Sequence, residues 1–120
     1  MDAIDHTKIK KLFVLTSGPI TPNPSELLGS AAMKELLKQV RNHFDLIIID
    51  TPPVLPVTDS QILANQCDGV ILVIKAGVTK KQHVEKTKAL LLNAKAKILG
   101  TVLNHTKERY QDYYYGDYDV

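Results

Sequence analysis

The sequence has a single cysteine, Cys67, among 120 residues. No internal disulfide can form, which fits a reducing compartment. The thiol reads as a small, partly buried apolar side chain rather than a nucleophile. Long hydrophobic runs are also missing, and none approaches the ~20 residues of a membrane span. The N-terminus lacks a signal-peptide layout, so the expectation is a protein that does not enter a membrane by itself. A strong charge of one sign is absent too. The formal net charge is +2, the lysines are spread over several segments, and no aromatic interleaves them. That argues against nucleic acid as a partner and leaves solvated faces. There is no internal repeat. The length suits one ordinary domain and is too short for two. Hydrophobic content of 44% and charged content of 23% are those of a soluble globular protein.

What is present is organised around Asp45-Leu46-Ile47-Ile48-Ile49-Asp50-Thr51-Pro52-Pro53. Four consecutive apolar residues, three of them β-branched, run into a carboxylate, and Thr-Pro-Pro ends the run. With no polar alternation it reads as a strand buried on both faces, as in a parallel sheet covered by helices. Asp50 then stands at the C-terminal end of the strand, the rim where open α/β sheets bind ligands. A carboxylate there has Walker B placement beside Mg²⁺ and nucleotide phosphates. The plainer alternative is a strand-ending Asp that caps the next turn.

The flanking segments fit the same architecture. Met1 to Lys11 is a polar lead-in or one short helical turn, and Leu12 to Leu15 reads as a first strand. Ser17 to Pro24 is a loop, since three prolines in six residues exclude helix and ladder alike. Asn23 as N-cap, Pro24 at the first helical position and Glu26 at N3 then open a helix. Its apolar stripe is Leu28, Ala32, Leu36, Val40 and Phe44, joined by Ala31, Met33 and Leu37. Thr58 or Asp59 starts a short helix through Leu63 and Ala64. Gly69 to Ile74 is a second buried-type strand. Gly77 and Thr79 lead into a helix over about 80–94, and Ile98 to Leu103 is the last strand, ending at Asn104. Strands alternating with helical segments predict an α/β fold with a parallel sheet and flanking helices.

After Asn104 the composition changes. From Thr106 to Val120 the only aliphatic residue is Val120, and all five tyrosines fall here: Tyr110, Tyr113, Tyr114, Tyr115 and Tyr118. Such a segment buries too little apolar surface to offset ordering entropy, so disorder is expected. Three readings stand: an aromatic patch that docks on a partner, a chance cluster, or phosphoacceptors. Filled with phosphate at about −1.5 to −2 charges each, the cluster would carry up to roughly −10.

Together these features resemble the bacterial tyrosine kinases of capsule and exopolysaccharide synthesis, the BY-kinases. The resemblance rests on Leu12 to Leu15 running into Thr16-Ser17-Gly18-Pro19-Ile20-Thr21-Pro22-Asn23-Pro24-Ser25-Glu26-Leu27-Leu28-Gly29-Ser30. It rests also on Asp45 to Pro53 with Val57-Thr58-Asp59, and on the terminal tyrosines. It covers essentially the whole chain. The tyrosine tail sets it apart from partition and cell-division ATPases of the same MinD-like P-loop fold. The resemblance implies a cytoplasmic domain, peripheral to the inner face of the membrane. Such a domain transfers the γ-phosphate of ATP, with Mg²⁺, to tyrosines in the tail of a neighbouring subunit. It implies a ring of subunits, activation by a membrane adaptor of polysaccharide export or polymerisation, and a cognate tyrosine phosphatase. Carried over, Asp50 is the Walker B acid near Mg²⁺, and Asn104 resembles the asparagine at the adenine base. Tyr110, Tyr113, Tyr114, Tyr115 and Tyr118 are the acceptors. Read without the resemblance, Asn104 is a plain turn residue.

The departure matters as much. A P-loop needs Gly-x-x-x-x-Gly-Lys-[Ser/Thr], whose N–H groups and lysine cradle phosphates. No such stretch occurs, and Gly29-Ser30 and Gly100-Thr101 lack both the lysine and the second glycine. The family's second acidic motif, Asp-x-Asp at the end of an aliphatic strand, is missing as well. The chain therefore looks like the C-terminal half of such a kinase: 1–105 the half-domain lacking the P-loop strand, 106–120 the tail. In the family's sheet only the strands near 70–74 and 98–103 are neighbours. The other two have strands from the missing half between them. The expectation is that the chain either closes these gaps, pairing 12–15 directly with 46–50, or is unstable. Functionally it is expected to be inactive alone yet a substrate of an intact kinase. The alternatives are a non-enzymatic interaction or acceptor module for the kinase ring, and a partition-type ATPase fragment.

Overall fold

The structure is a computed structural model that describes residues 3–106. The segment from 107 onward, with its five tyrosines and its expected disorder, lies outside the described residues. The chain forms two compact units, Met1–Thr51 and Pro52–Val120.

The first unit opens with an antiparallel pair, β1 (Asp5–His6) and β2 (Phe13–Val14), in the register Asp5 to Val14 and His6 to Phe13. The polar lead-in is thus a strand in part, and the strand expected at 12–15 is shorter and antiparallel. A local turn decides this. The Thr7 hydroxyl donates to the Leu12 carbonyl at 2.9 Å, and the Thr7 N–H reaches the same oxygen at 3.3 Å. Lys11 takes a left-handed φ of 64° to close it. Phe13 then meets His6 and Phe44 edge-on, with ring centroids at 4.9 and 5.2 Å.

The expected single helix after Pro24 is two helices, α1 (Pro24–Gly29) and α2 (Ala31–Arg41). Ser30 separates them with φ −72° and ψ 162°, an extended backbone that ends one helix and caps the next. Its hydroxyl donates to the Leu27 carbonyl at 2.7 Å and accepts from the Met33 N–H at 3.2 Å. Asn23 does stand at the N-cap of α1 with Pro24 behind it. Its side chain makes no capping bond to the backbone and instead donates to the Glu26 carboxylate at 3.3 Å. Of the predicted stripe only Val40 is buried.

The run Leu46 to Asp50 is not a strand. It carries no ladder bonds, and Leu46 and Ile48 are 76% and 83% exposed. This corrects the central expectation, and the closure of 12–15 onto 46–50 does not occur either, since β2 pairs with β1. A strand of the both-faces-buried type exists only where neighbours receive its edges. Among the described residues nothing pairs with this run.

The second unit follows the predicted pattern closely. It holds α3 (Asp59–Ala64), β3 (Val70–Lys75), α4 (Lys81–Asn93) and β4 (Ile98–Asn104). β3 and β4 form a parallel pair, the one neighbouring pair expected, with a register shift between Val70 and Ile71. Ala64, Leu91 and Ala96 are buried together, and Val54, Val70 and Ile98 pack against them. This cluster covers one face of the pair. The other face carries Ile71 and Val73, which are 60% and 61% exposed, and their neighbour Val102, also exposed. No described helix is long and apolar enough to cross a membrane.

Candidate functional site

Two predicted site residues fall within the described structure, one in each unit. Asp50 ends the extended run of the first unit and is exposed. The loop that follows it is anchored by Ser60, a buried residue at the start of α3 whose hydroxyl donates to the Pro52 carbonyl. That bond holds Pro52, the first residue of the second unit, to α3. The only sequence signal for this anchor is a small hydroxyl in the first turn of a short helix, which is too common to single out.

Asn104 is the last residue of β4, on the C-terminal rim of the parallel pair. Its carbonyl accepts the Ala76 N–H at 2.9 Å, so the ends of both strands meet there. Its side-chain oxygen accepts the His105 N–H at 2.8 Å, and His105 takes a left-handed φ of 56°. An Asn side chain has two donors besides its acceptor oxygen, which is the complement a base edge needs. Across the rim, the turn after β3 is closed by Thr79, whose hydroxyl accepts the Lys75 N–H at 3.1 Å. Gly77 supplies the left-handed φ of 69° that the turn requires.

For a nucleotide and its Mg²⁺ the two units thus offer one carboxylate and one carboxamide, each on its own unit. Mg²⁺ is commonly held by one or two carboxylates together with substrate phosphates and water. The described residues contain no group of three or more His, Cys, Asp or Glu able to hold a metal. The sequence contains no Gly-x-x-x-x-Gly-Lys stretch, the motif whose N–H groups and lysine cradle phosphates in a P-loop. These residues do not by themselves fit ATP with Mg²⁺. The predicted acceptors Tyr110, Tyr113, Tyr114, Tyr115 and Tyr118 lie outside the described residues.

Comparison with known proteins finds relatives along nearly the whole chain. Residues 23–98 match the AAA domain family. The tyrosine-protein kinase YwqD of Bacillus subtilis is 47% identical over 119 residues, covering 98% of this chain and 50% of that protein. The tyrosine-protein kinase CpsD of Streptococcus agalactiae is 44% identical over 112 residues, 93% of this chain and 48% of that one. Among solved structures, the chimerical protein CapA2B2 superposes with a TM-score of 0.85 at 43% identity, over 89% of this chain and 47% of its own. The kinase domain of the Escherichia coli tyrosine kinase ETK gives 0.85 at 33% identity, over 98% and 46%. The chain spans about half the length of the curated relatives it matches. With an AAA-domain match over most of its length and kinase relatives aligned along nearly all of it, the chain belongs to the bacterial tyrosine-kinase family.

Proposed function

We propose that this chain is the C-terminal half of an ATP-dependent protein-tyrosine kinase domain, with 1–105 as half-domain and 106–120 as acceptor tail. Asp50 is its Walker B acid, Asn104 its adenine-side residue, and Tyr110, Tyr113, Tyr114, Tyr115 and Tyr118 its phosphoacceptors. The polypeptide of 120 residues transfers no phosphate alone. The observation that carries this reading is the lack of any Gly-x-x-x-x-Gly-Lys stretch in a chain aligned along 98% of its length with a kinase. Phosphoryl transfer is catalysed by positioning and charge neutralisation, and the phosphate cradle supplies most of both.

The tail remains a substrate, because an acceptor tyrosine needs an accessible hydroxyl and not a local P-loop. In this reading the chain works at the inner face of the membrane in capsule or exopolysaccharide synthesis. It meets a membrane adaptor, intact kinase subunits and a tyrosine phosphatase. Incubation of the purified chain with Mg-ATP, with and without intact YwqD, tests both halves of the proposal. Phosphotyrosine should appear only when the intact kinase is present.

A further inference from the structure

The turn between β1 and β2, Thr7 to Leu12, concentrates charge and apolar surface at one tip. Lys8, Lys10 and Lys11 are all exposed there, and Ile9 among them is 65% exposed. From residue 3 to residue 25 these are the only lysines or arginines, and Asp5 is the only acid. The tip is tied at its base. The Thr7 hydroxyl accepts the Ile9 N–H at 3.1 Å, and the Ile9 carbonyl accepts the Leu12 N–H at 3.1 Å. Both backbone groups of Ile9 are thus used inside the turn while its side chain stays in water, where an isoleucine gains nothing. Lys11 holds a φ of 64°, a left-handed backbone that Gly or Asn adopts with less strain. A turn that was merely solvated would gain from neither the exposed isoleucine nor the strained lysine. Strain of this kind points to a role outside folding.

From this tip we infer that the β1–β2 turn is a contact site for an anionic lipid surface. Ile9 enters the headgroup region, and Lys8, Lys10 and Lys11 lie along it with their ammonium groups among the lipid phosphates. Shape and composition select lipid over other anionic partners. Peptides are recognised in a groove or as an added strand, and these lysines lie on the turn, outside both strands. Single-stranded nucleic acid is held by stacking on aromatic side chains, and the turn has none. The nearby Phe13 ring is already met edge-on by His6 and Phe44. A bilayer is flat and laterally fluid, so it asks only for a protruding apolar residue with cations around it. Each lysine at an anionic leaflet strengthens binding about fivefold, so one tip supplies a weak, reversible contact rather than an anchor. The inference goes beyond the proposed function, because it concerns lipid contact by the chain's own residues and needs neither an adaptor nor phosphate transfer.

The test is sedimentation of the purified 120-residue chain with vesicles of equimolar phosphatidylcholine and phosphatidylglycerol, against phosphatidylcholine alone. Binding should be confined to the anionic vesicles and should fall at high salt. Lys8→Gln, Lys10→Gln and Lys11→Gln together should reduce it to the level of phosphatidylcholine alone, with the circular dichroism unchanged. The same charge removed from α4 by Lys81→Gln, Lys86→Gln and Lys88→Gln should leave most of the binding in place. Lys11→Gly should weaken binding about fivefold without lowering the urea midpoint, since glycine relieves the left-handed strain. The sequence contains no tryptophan, so Ile9→Trp introduces a single reporter. Its emission should shift to the blue on anionic vesicles. That of Ile20→Trp, at a fully exposed site in a proline-rich loop without lysines, should not. Lack of binding to the anionic vesicles overturns the inference, and so do equal losses from the turn and α4 variants, since general charge would then suffice. An Ile9→Trp emission unchanged on the vesicles overturns it as well. So does binding to polyglutamate that depends on the turn lysines as strongly as vesicle binding does, which would assign the tip to an acidic polypeptide. None of these measurements involves ATP or a kinase, so failure here is distinct from failure of the proposed function.

Discussion

The Ala76 N–H donates to the Asn104 carbonyl across 2.9 Å, joining the end of β3 to the end of β4. That bond sets the rim on which Asn104 stands, and the turn behind it depends on Gly77. Gly77 has a φ of 69°, and a Cβ placed on it would meet no atom within 4 Å, so its backbone alone constrains it. Gly77→Ala should lower stability by about 1 kcal/mol, and Gly77→Asn by less, since Asn tolerates the left-handed region. Urea unfolding midpoints of the two variants check this order. Equal losses would point to a side-chain clash instead.

Leu91 is 1% exposed and sits at the centre of the second unit's core. Leu91→Ala should cost about 2–5 kcal/mol. The expected readout is a large drop in the urea midpoint, with Leu92→Ala as comparison, since Leu92 is 52% exposed and should cost little. Similar effects from the two would place the core elsewhere.

Gly69 precedes the register shift between Val70 and Ile71, and a methyl group there would overlap the Leu99 side chain. Gly69→Ala should therefore destabilise the chain when Leu99 is present and much less after Leu99→Ala. A double-mutant cycle measures the coupling, expected at about 0.5–3 kcal/mol. Additive effects would mean that Leu99 moves aside freely.

Ser30 holds two helix ends with one hydroxyl. Ser30→Ala should cost about 1 kcal/mol, the ordinary loss of an N-cap. Ser30→Asp keeps an acceptor for the Met33 N–H and loses the donor to Leu27, so its stability should fall between those of Ser30→Ala and the unaltered chain. Helix content by circular dichroism, followed through thermal unfolding, separates the three proteins.

The second unit was legible because its signals are local and its partners are present. β3, α4 and β4 lie within one or two residues of their expected bounds, and the short helix α3 follows its Thr58-Asp59 start. The split at Ser30 was written in the sequence as Gly29 followed by a good N-cap, but the apolar stripe ran through it and concealed the break. β1 has two residues and no periodicity, and only the Thr7 turn explains it. Leu46 to Ile49 has the composition of a central strand. Composition states what a segment would bury, and pairing depends on neighbours that the described chain does not contain. Asn104 was found as the end of a strand, whereas its coupling to the β3 turn through Ala76 is a tertiary fact with no sequence signature.

The acceptor and Walker B roles proposed for this chain are separable by mutation. Asp50→Asn should leave labelling of the chain by intact YwqD unchanged, because the acting site belongs to the other protein. Replacement of Tyr110, Tyr113, Tyr114, Tyr115 and Tyr118 by Phe should abolish it. Phosphopeptide mapping after tryptic cleavage distinguishes the two variants.

The central claim is that this polypeptide is a kinase part that lacks its own phosphate cradle. The most direct measurement is phosphotyrosine formation on the purified chain with Mg-ATP and no other protein. The account predicts none, and labelling confined to the tail once intact YwqD is added. Phosphotyrosine formed by the chain alone would contradict it.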